Sequence, residues 1–503
     1  MSYKLDLSGL EQLDRSARGS VTRQLVDFFV EAIDAGRLEP GDQLPPTREL
    51  AAAADVNHLT AARVYRRLAE LGYVTARVGR GTFVSARAAA AAADEGDGEW
   101  QAYVLPERRP SYAAEVLPDS FRTAGQEDII SLAVGWPTPK LYPVRELRGI
   151  AEEVFADAGG RALSYFNAEG VPELRRELAR RGAAAGFASS AEEIIVTSGA
   201  RQGLDLVARS VLGPGDVAVV ESPSFAGVLT SLENTGARVI GIPVDQDGLD
   251  VDALERVVAR HEVKLCALQP ACHNPTGRDL TAPRRARLLE LAQERSFFVL
   301  EDAVYATLRY EGIEPPRLRA GAPAHVIYVD SLSKTVGGGL RIGWIAARGP
   351  ILGRLATLKM DTDIHTSALD QYIAARYLSA GHHDRQLERA LPYYRERRDA
   401  LVAALERHLA GEYRAMTPLG GHHVWVTLTR PVPERALYNE ALRHGTTFTP
   451  GGATMVEPGP QTSLRLSFGL LDPDELDEGV RRLAAALRAV RRYDRLGATA
   501  PVS

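Results

Sequence analysis

The amino-acid sequence predicts an α/β protein in two unequal parts: a small module of three helices and a hairpin, then a much larger domain on a mainly parallel sheet. Three observations carry this expectation. At 503 residues the chain is too long for a single hydrophobic core. From Ile129 onward, apolar runs of strand length alternate with longer runs of helical periodicity. Before that, Ala17 to Ser85 shows helical spacing followed by period-two alternation, and the segment 86–128 loses periodicity altogether.

The composition is that of an ordinary soluble chain. Its formal net charge of −5 excludes a general polyanion binder, so any nucleic-acid contact must come from a local patch. The two cysteines, Cys266 and Cys272, lie in an apolar run and read as part of a buried strand leading into a loop, not as a redox pair or a metal site. No metal is expected. Neither an export segment nor an apolar run of membrane-spanning length is visible, which gives a cytoplasmic expectation and no membrane partner.

After a tail of residues 1–16, the module 17–85 opens with Val21, Leu25, Phe28, Phe29, Ile33 and Leu38 at helical spacing, closed by the Pro40-Gly41-Asp42 turn. A second helix is expected over Thr47 to Ala54. Asn57 then caps a third, whose Ala61, Val64, Tyr65, Leu68 and Leu71 face inward and which Gly72 stops. Val74 to Val78 and Thr82 to Val84 alternate like two short strands around Gly79-Arg80-Gly81. Two helices joined by a short turn and followed by a hairpin make a winged helix-turn-helix, whose second helix enters the major groove of double-stranded DNA. The expected contacts are Arg48, Arg63, Arg66, Arg77 and Arg80 on phosphates, with His58 and Thr60 at base edges. Ten arginines against eight acidic residues between Ala17 and Arg87 is too small a surplus to establish this by charge.

Gly41-Asp42-Gln43-Leu44-Pro45, Thr47-Arg48-Glu49-Leu50-Ala51 and Gly79-Arg80-Gly81-Thr82-Phe83-Val84 make the module resemble the GntR family of bacterial regulators. Pro46 departs from that pattern, standing where the family usually has a capping serine. Proline is tolerated in a first helical turn, so little effect is expected. The segment 86–128 opens on six alanines, turns acidic and continues with prolines; it has too few apolar residues to bury much and reads as a flexible tether.

In the large part, residues 129–492, strands are expected at Ile194–Val196, Val217–Val220, Arg238–Ile240, Leu265–Leu268, Phe297–Leu300 and Val326–Val329. Ligands bind at the carboxyl ends of such strands, and the chemically notable residues fall there. Lys334 follows one strand and is placed to form an imine with an aldehyde. Asp302 follows another, where a carboxylate could keep a pyridine nitrogen protonated. Tyr305 and Asn274 can both hydrogen-bond a ring phenolate. Thr197-Ser198-Gly199-Ala200 begins a helix whose first amides bind phosphate, completed by Ser331, Ser333 and Arg341. These elements describe a pocket for pyridoxal phosphate.

Their order resembles the fold-type I pyridoxal-phosphate enzymes, the aspartate aminotransferase superfamily, with a large domain at about 165–370, a small domain from both flanks, and a tail at 493–503. The resemblance implies Lys334 as the Schiff-base lysine, Asp302 as the pyridine partner and Tyr305 as a further catalytic group. It also implies Phe225 as the ring-stacking residue, Arg465 as the partner of a substrate α-carboxylate, and Tyr165 as a residue reaching the phosphate of a neighbouring subunit in a homodimer. Arg201 stands on the phosphate side where the family commonly has glutamine. Trp136 looks like part of the substrate-side loop, beside Asn274. His422, His423 and His365 are further candidates for substrate contact; adjacent strand residues point to opposite faces, so only one of His422 and His423 is expected to face the pocket.

The fusion as a whole resembles the MocR/PdxR subfamily of regulators. That implies a DNA-binding protein that senses pyridoxal phosphate, an amino acid or an amine. Two other readings stand beside it: a working aminotransferase with an accessory winged helix, and a scaffold with a dead pocket.

Overall fold

The computed structural model describes residues 21–34, 37–38, 41–70, 73–77, 81–85, 118, 120–126 and 128–495. Leu71, Gly72, Val78, Gly79 and Arg80, the tail 1–16, most of the segment 86–128 and residues 496–503 lie outside that set. The chain divides into two units, Met1–Arg109 and Pro110–Ser503, with the division inside the expected tether.

In the first unit, helices α1 (Val21–Asp34), α2 (Thr47–Ala53) and α3 (His58–Glu70) precede a hairpin of β1 (Val74–Arg77) and β2 (Gly81–Val84). Leu25, Phe29, Leu50, Ala61, Val64 and Leu68 recur at helical spacing and are fully buried in one small core, because only one stripe of each helix can face the other two. Asn57 Oδ1 accepts the Thr60 N–H at 2.7 Å and starts α3, a cap worth about 1 kcal/mol. Pro46 occupies the cap position of α2 itself and offers no side-chain bond; its backbone carbonyl accepts from Glu49 and Leu50 instead. The hairpin pairs Val74 with Val84 and Arg77 with Gly81, and β2 also bonds back to the turn at residues 41–44.

The second unit is built on an eight-stranded sheet in the order β4-β11-β10-β9-β8-β5-β6-β7. Its strands are β4 (Ile194–Thr197), β5 (Val217–Ser222), β6 (Arg238–Asp245), β7 (Gly248–Leu249), β8 (Val263–Leu268), β9 (Phe298–Asp302), β10 (Val326–Ser331) and β11 (Gly343–Ala346). All six expected strands are present. β11 and the short β7 run antiparallel to their neighbours, and β11 is inserted between β4 and β10. β4, β8, β9 and β10 are almost wholly buried, as near-continuous apolar runs must be when helices cover both faces of a parallel sheet.

A smaller sheet, in the order β12-β13-β16-β15, uses β12 (Tyr413–Ala415), β13 (His423–Leu428), β15 (Thr449–Pro450) and β16 (Ser463–Ser467). Beside it, β3 (Ile130–Ser131) pairs in parallel with β14 (Thr446–Thr447), so the smaller layer draws on both ends of the unit. The closing helix, Pro473–Arg495, packs along the long helix His382–Leu409 and continues past residue 492.

Candidate functional site

The carboxyl ends of β8, β9 and β10 bring Gln269, Asp302 and Lys334 to one side of the large sheet, and β13 and β16 bring His423 and Arg465 against them. Asp302 is the last residue of β9 and not, as the sequence suggests, a residue beyond it. Its Oδ2 accepts from Gln269 Nε2 at 2.6 Å and its Oδ1 from the Val304 N–H at 3.2 Å. Burial pushes this carboxyl up to about 6, with Gln269 opposing the shift. Gln269 Oε1 also accepts the Asn274 N–H at 2.8 Å, and the Gln269 N–H donates to Glu221 at 2.7 Å. One amide therefore holds both the expected pyridine partner and the segment carrying an expected phenolate partner.

Lys334 lies three residues beyond β10, and its Nζ donates to the Gly135 carbonyl at 2.8 Å. It sits 5.6 Å from the centre of the Tyr305 ring. Burial pushes the ammonium down to about 8, reinforced by Arg465 and opposed by Asp302. Arg465 is buried too, its Nη2 donating to the Ala133 carbonyl at 2.8 Å and Thr449 Oγ1 at 2.9 Å, and its Nη1 to Asn274 Oδ1 at 3.3 Å. All three acceptors are neutral, the buried Nε has no partner, and burial lowers the guanidinium to about 10. A buried cation left without a carboxylate is costly, and a ligand carboxylate is the group that would offset it.

The helix Ala200–Val211 begins without a side-chain cap, leaving its first amides to an anion. Gly199 there has φ of 101°, and a Cβ would stand 2.7 Å from Arg341 Nη2, so only glycine lets the loop and the arginine meet. Arg341 donates to the Ser198 carbonyl at 2.5 Å. The Ser198 N–H is taken by Gln202 Oε1 at 2.7 Å, which leaves the later amides as donors. Ser331 is buried at the end of β10, and its Oγ accepts the Ser333 N–H at 3.3 Å. Phe225 precedes the helix Ala226–Glu233. A Cβ on Gly227 would collide with both the Phe225 ring and the Arg201 guanidinium, so only glycine lets these two side chains come together there. The cradle, the lysine and the buried carboxyl of Asp302 fit pyridoxal phosphate.

The expectation for the paired histidines needs correction. β13 starts at His423, so His422 belongs to the preceding turn and strand alternation does not separate the two. Both rings meet Tyr305 edge-on at 5.6 Å, at 72° and 82°. Burial drives His422 down to about 3 and His423 well below its ordinary value. Trp136 packs on Phe121 at 5.5 Å. Tyr165 is 83% exposed, with His365 beside it at 5.8 Å. Cys266 and Cys272 are buried and not disulfide-bonded; burial raises both thiols, Cys272 to about 12. Among the described residues no cluster of histidine, cysteine and carboxylate side chains could hold a metal, and no helix is long and apolar enough to cross a membrane.

Sequence reasoning missed Gln269, Ser467 and Glu221. Glu221 and Gln269 each follow an apolar run destined for the core, and a polar side chain at that place was the available signal.

In the first unit, His58, Arg63, Arg66 and Arg48 are exposed and Thr60 is half-buried. Arg63 and Arg66 lie opposite the buried stripe of α3. Arg77 ends β1, and Arg80 is outside the described residues.

Fold and site together define a pyridoxal phosphate-dependent protein of the aminotransferase type carrying a winged helix-turn-helix. Residues 127–483 match the aminotransferase class I and II family, and residues 22–84 match the bacterial regulatory proteins of the gntR family. The chain belongs to the aminotransferase class I and II family and, over nearly its whole length, to the helix-turn-helix regulators that carry such a domain. It is 30% identical to the HTH-type transcriptional regulator TauR of Rhodobacter capsulatus, over 94% of this chain and 97% of TauR. It is 34% identical to the 2-aminoadipate transaminase of Thermus thermophilus, over 75% of this chain and 94% of that one. Among solved structures it resembles LysN, the α-aminoadipate aminotransferase of Thermus thermophilus complexed with N-(5'-phosphopyridoxyl)-L-leucine. There the TM-score is 0.69 and the identity 32%, with 75% of this chain and 99% of LysN covered.

Proposed function

We propose that the protein is a transcriptional regulator that binds double-stranded DNA through its amino-terminal module and senses pyridoxal phosphate or an amino acid through its aminotransferase-like domain. The observation that carries the reading is the fusion itself: an α3 with exposed Arg63 and Arg66 joined to a lysine pocket, in a chain similar to the HTH-type transcriptional regulator TauR over nearly its whole length. Its place of action on this reading is the cytoplasm.

Pyridoxal phosphate, when bound, supplies an aldehyde for the lysine and a ring that withdraws electrons from the Cα of an amino acid. With its ordinary pKa lowered to about 8, Lys334 is partly neutral near pH 7 and can hold the aldehyde carbon. Asp302 would keep the proton on the pyridine nitrogen, and the helix start at Ala200 with Ser331, Ser333 and Arg341 would hold the phosphate. Phe225 would support the ring, with Asn274 and Tyr305 on the side of its phenolate oxygen. Arg465 takes the α-carboxylate. Tyr165, on this reading, reaches the phosphate of the partner subunit in a homodimer that places two DNA modules on repeated or inverted half-sites. The effector must favour one arrangement of the domains for DNA binding to respond.

A working aminotransferase is the second reading, favoured by the set Lys334, Asp302, Tyr305, Asn274 and Arg465, none of which is lost. In it Lys334 would move the proton at the amino acid's Cα. A spectral titration of the cofactor-loaded protein with amino acids, followed by product analysis, separates the readings. A persistent shift marks a sensor, and turnover renewed by an oxo acid marks an enzyme. Binding to DNA from the protein's own upstream region is measured alongside. No preference over random DNA at moderate salt, with Arg63→Ala changing nothing, sinks the regulator.

A further inference from the structure

The buried contacts of Tyr305 point to a role for His423 toward the cofactor. The Tyr305 hydroxyl lies 3.1 Å from His423 Nε2, His423 Nδ1 lies 2.9 Å from Ser467 Oγ, and Ser467 Oγ lies 3.2 Å from the Ala133 carbonyl. All these groups are buried. A carbonyl can only accept, so the serine hydrogen belongs on Ala133; reversing it would set two lone pairs against each other out of reach of water. The serine oxygen then accepts, and His423 Nδ1 carries the donating hydrogen. A neutral imidazole has one such hydrogen, so Nε2 offers a lone pair and the Tyr305 O–H donates to it.

The ring stays neutral chiefly because it is buried, and the groups around it add to the effect. Arg465 on β16, Lys334 after β10 and the neighbouring His422 all oppose its protonation; on the side of β9, Asp302 lies near Tyr305 and not against the imidazole. It is also fixed in place. A Cβ on residue 135 would stand 2.2 Å from His423 Cε1, so Gly135 makes room for the ring, and the same Gly135 carbonyl holds Lys334.

We propose that His423 is a positioning residue that draws the Tyr305 hydroxyl proton away from the cofactor's phenolate oxygen, through a one-way hydrogen-bond chain anchored on Ala133. The proposal rests on pyridoxal phosphate being held at Lys334. A hydroxyl donated to the phenolate stabilises the form of the lysine-bound cofactor that has lost its proton. Diverting that hydroxyl keeps the proton on, and with it the form open to attack by an incoming amine.

The test is the pH titration of the visible absorbance of the cofactor-loaded protein, a readout independent of turnover. Replacing His423 by Phe frees Tyr305 to donate to the phenolate and is expected to lower the apparent pKa of the band by about one pH unit. The same replacement in a Tyr305→Phe background should move it by no more than a few tenths. Ser467→Ala leaves the imidazole in place and releases its tautomer, and should lower the pKa in the same direction; this variant serves if His423→Phe does not fold. An unmoved or raised pKa in these variants, or a shift that persists without the Tyr305 hydroxyl, overturns the proposal. Absence of any visible band in the unaltered protein overturns the cofactor reading first and the role of His423 with it.

Discussion

Replacing Asp302 by Asn should make the cofactor-free protein more stable while spoiling its pocket. Below the ordinary carboxyl pKa of 3.8, Asp302 is protonated in the folded and unfolded chain alike and the site costs nothing. As pH rises the unfolded chain gives up its proton, while the folded chain keeps it until about 6. Stability is therefore lost across that window, by about 3 kcal/mol once pH passes the folded value. Asparagine never ionises. It keeps an oxygen for Gln269 Nε2 but turns its amide toward the Val304 N–H, which loses its acceptor at a cost of about 1 kcal/mol. The variant should thus gain about 2 kcal/mol at pH 7.5 and match the parent near pH 4.5, where the carboxyl penalty is only about 1 kcal/mol. Urea unfolding of the cofactor-free protein, followed by tryptophan fluorescence at both pH values, reads the difference. An Asp302→Asn protein no more stable than the parent at pH 7.5, or one whose advantage is unchanged at pH 4.5, refutes the reasoning. In the loaded protein the order should reverse, because the pyridine nitrogen loses its carboxylate.

Arg465→Lys should weaken the spectral response to amino acids by about a hundredfold, since an ammonium cannot replace the paired N–H donors of the guanidinium; a titration within a fewfold of the parent argues against Arg465 as the carboxylate partner. Gly199→Ala places a Cβ on Arg341 at a positive φ and should lower cofactor affinity by about tenfold, as measured by cofactor release on dilution. Borohydride reduction should fix the cofactor to the unaltered protein and not to Lys334→Ala; label retained in the variant would show that another amine holds it.

Much of the site was legible because its chemistry is carried by short local runs. Lys334, Ser331 and Ser333 fall within four residues, and five of the six expected strands, all but Arg238–Ile240, are unbroken apolar stretches ending where chemistry begins. The insertion of β11 between β4 and β10 was not legible, because Gly343–Ala346 is four residues long and one of its two partners, β4, lies nearly 150 residues earlier in the chain. The same holds for side-chain pairs. Gln269 meets Asp302 across 33 residues, Tyr305 meets His423 across 118 and Lys334 meets Gly135 across 199, and periodicity carries no record of such separations. The two histidines illustrate the limit: alternation is a sound rule within a strand, and β13 begins one residue later than the rule required.

The stretch from Ile130 to Gly135 gives the pocket an unusual mechanical connection. Its first residues are tied to β14, the Ala133 carbonyl accepts from Arg465, Thr449 and Ser467, and the Gly135 carbonyl accepts from Lys334. A ligand that pulls Arg465 or Lys334 toward itself must let go of these carbonyls or drag them along. Occupancy of the pocket is therefore felt along one continuous run of backbone, from the pairing of β3 with β14 to the Gly135 carbonyl.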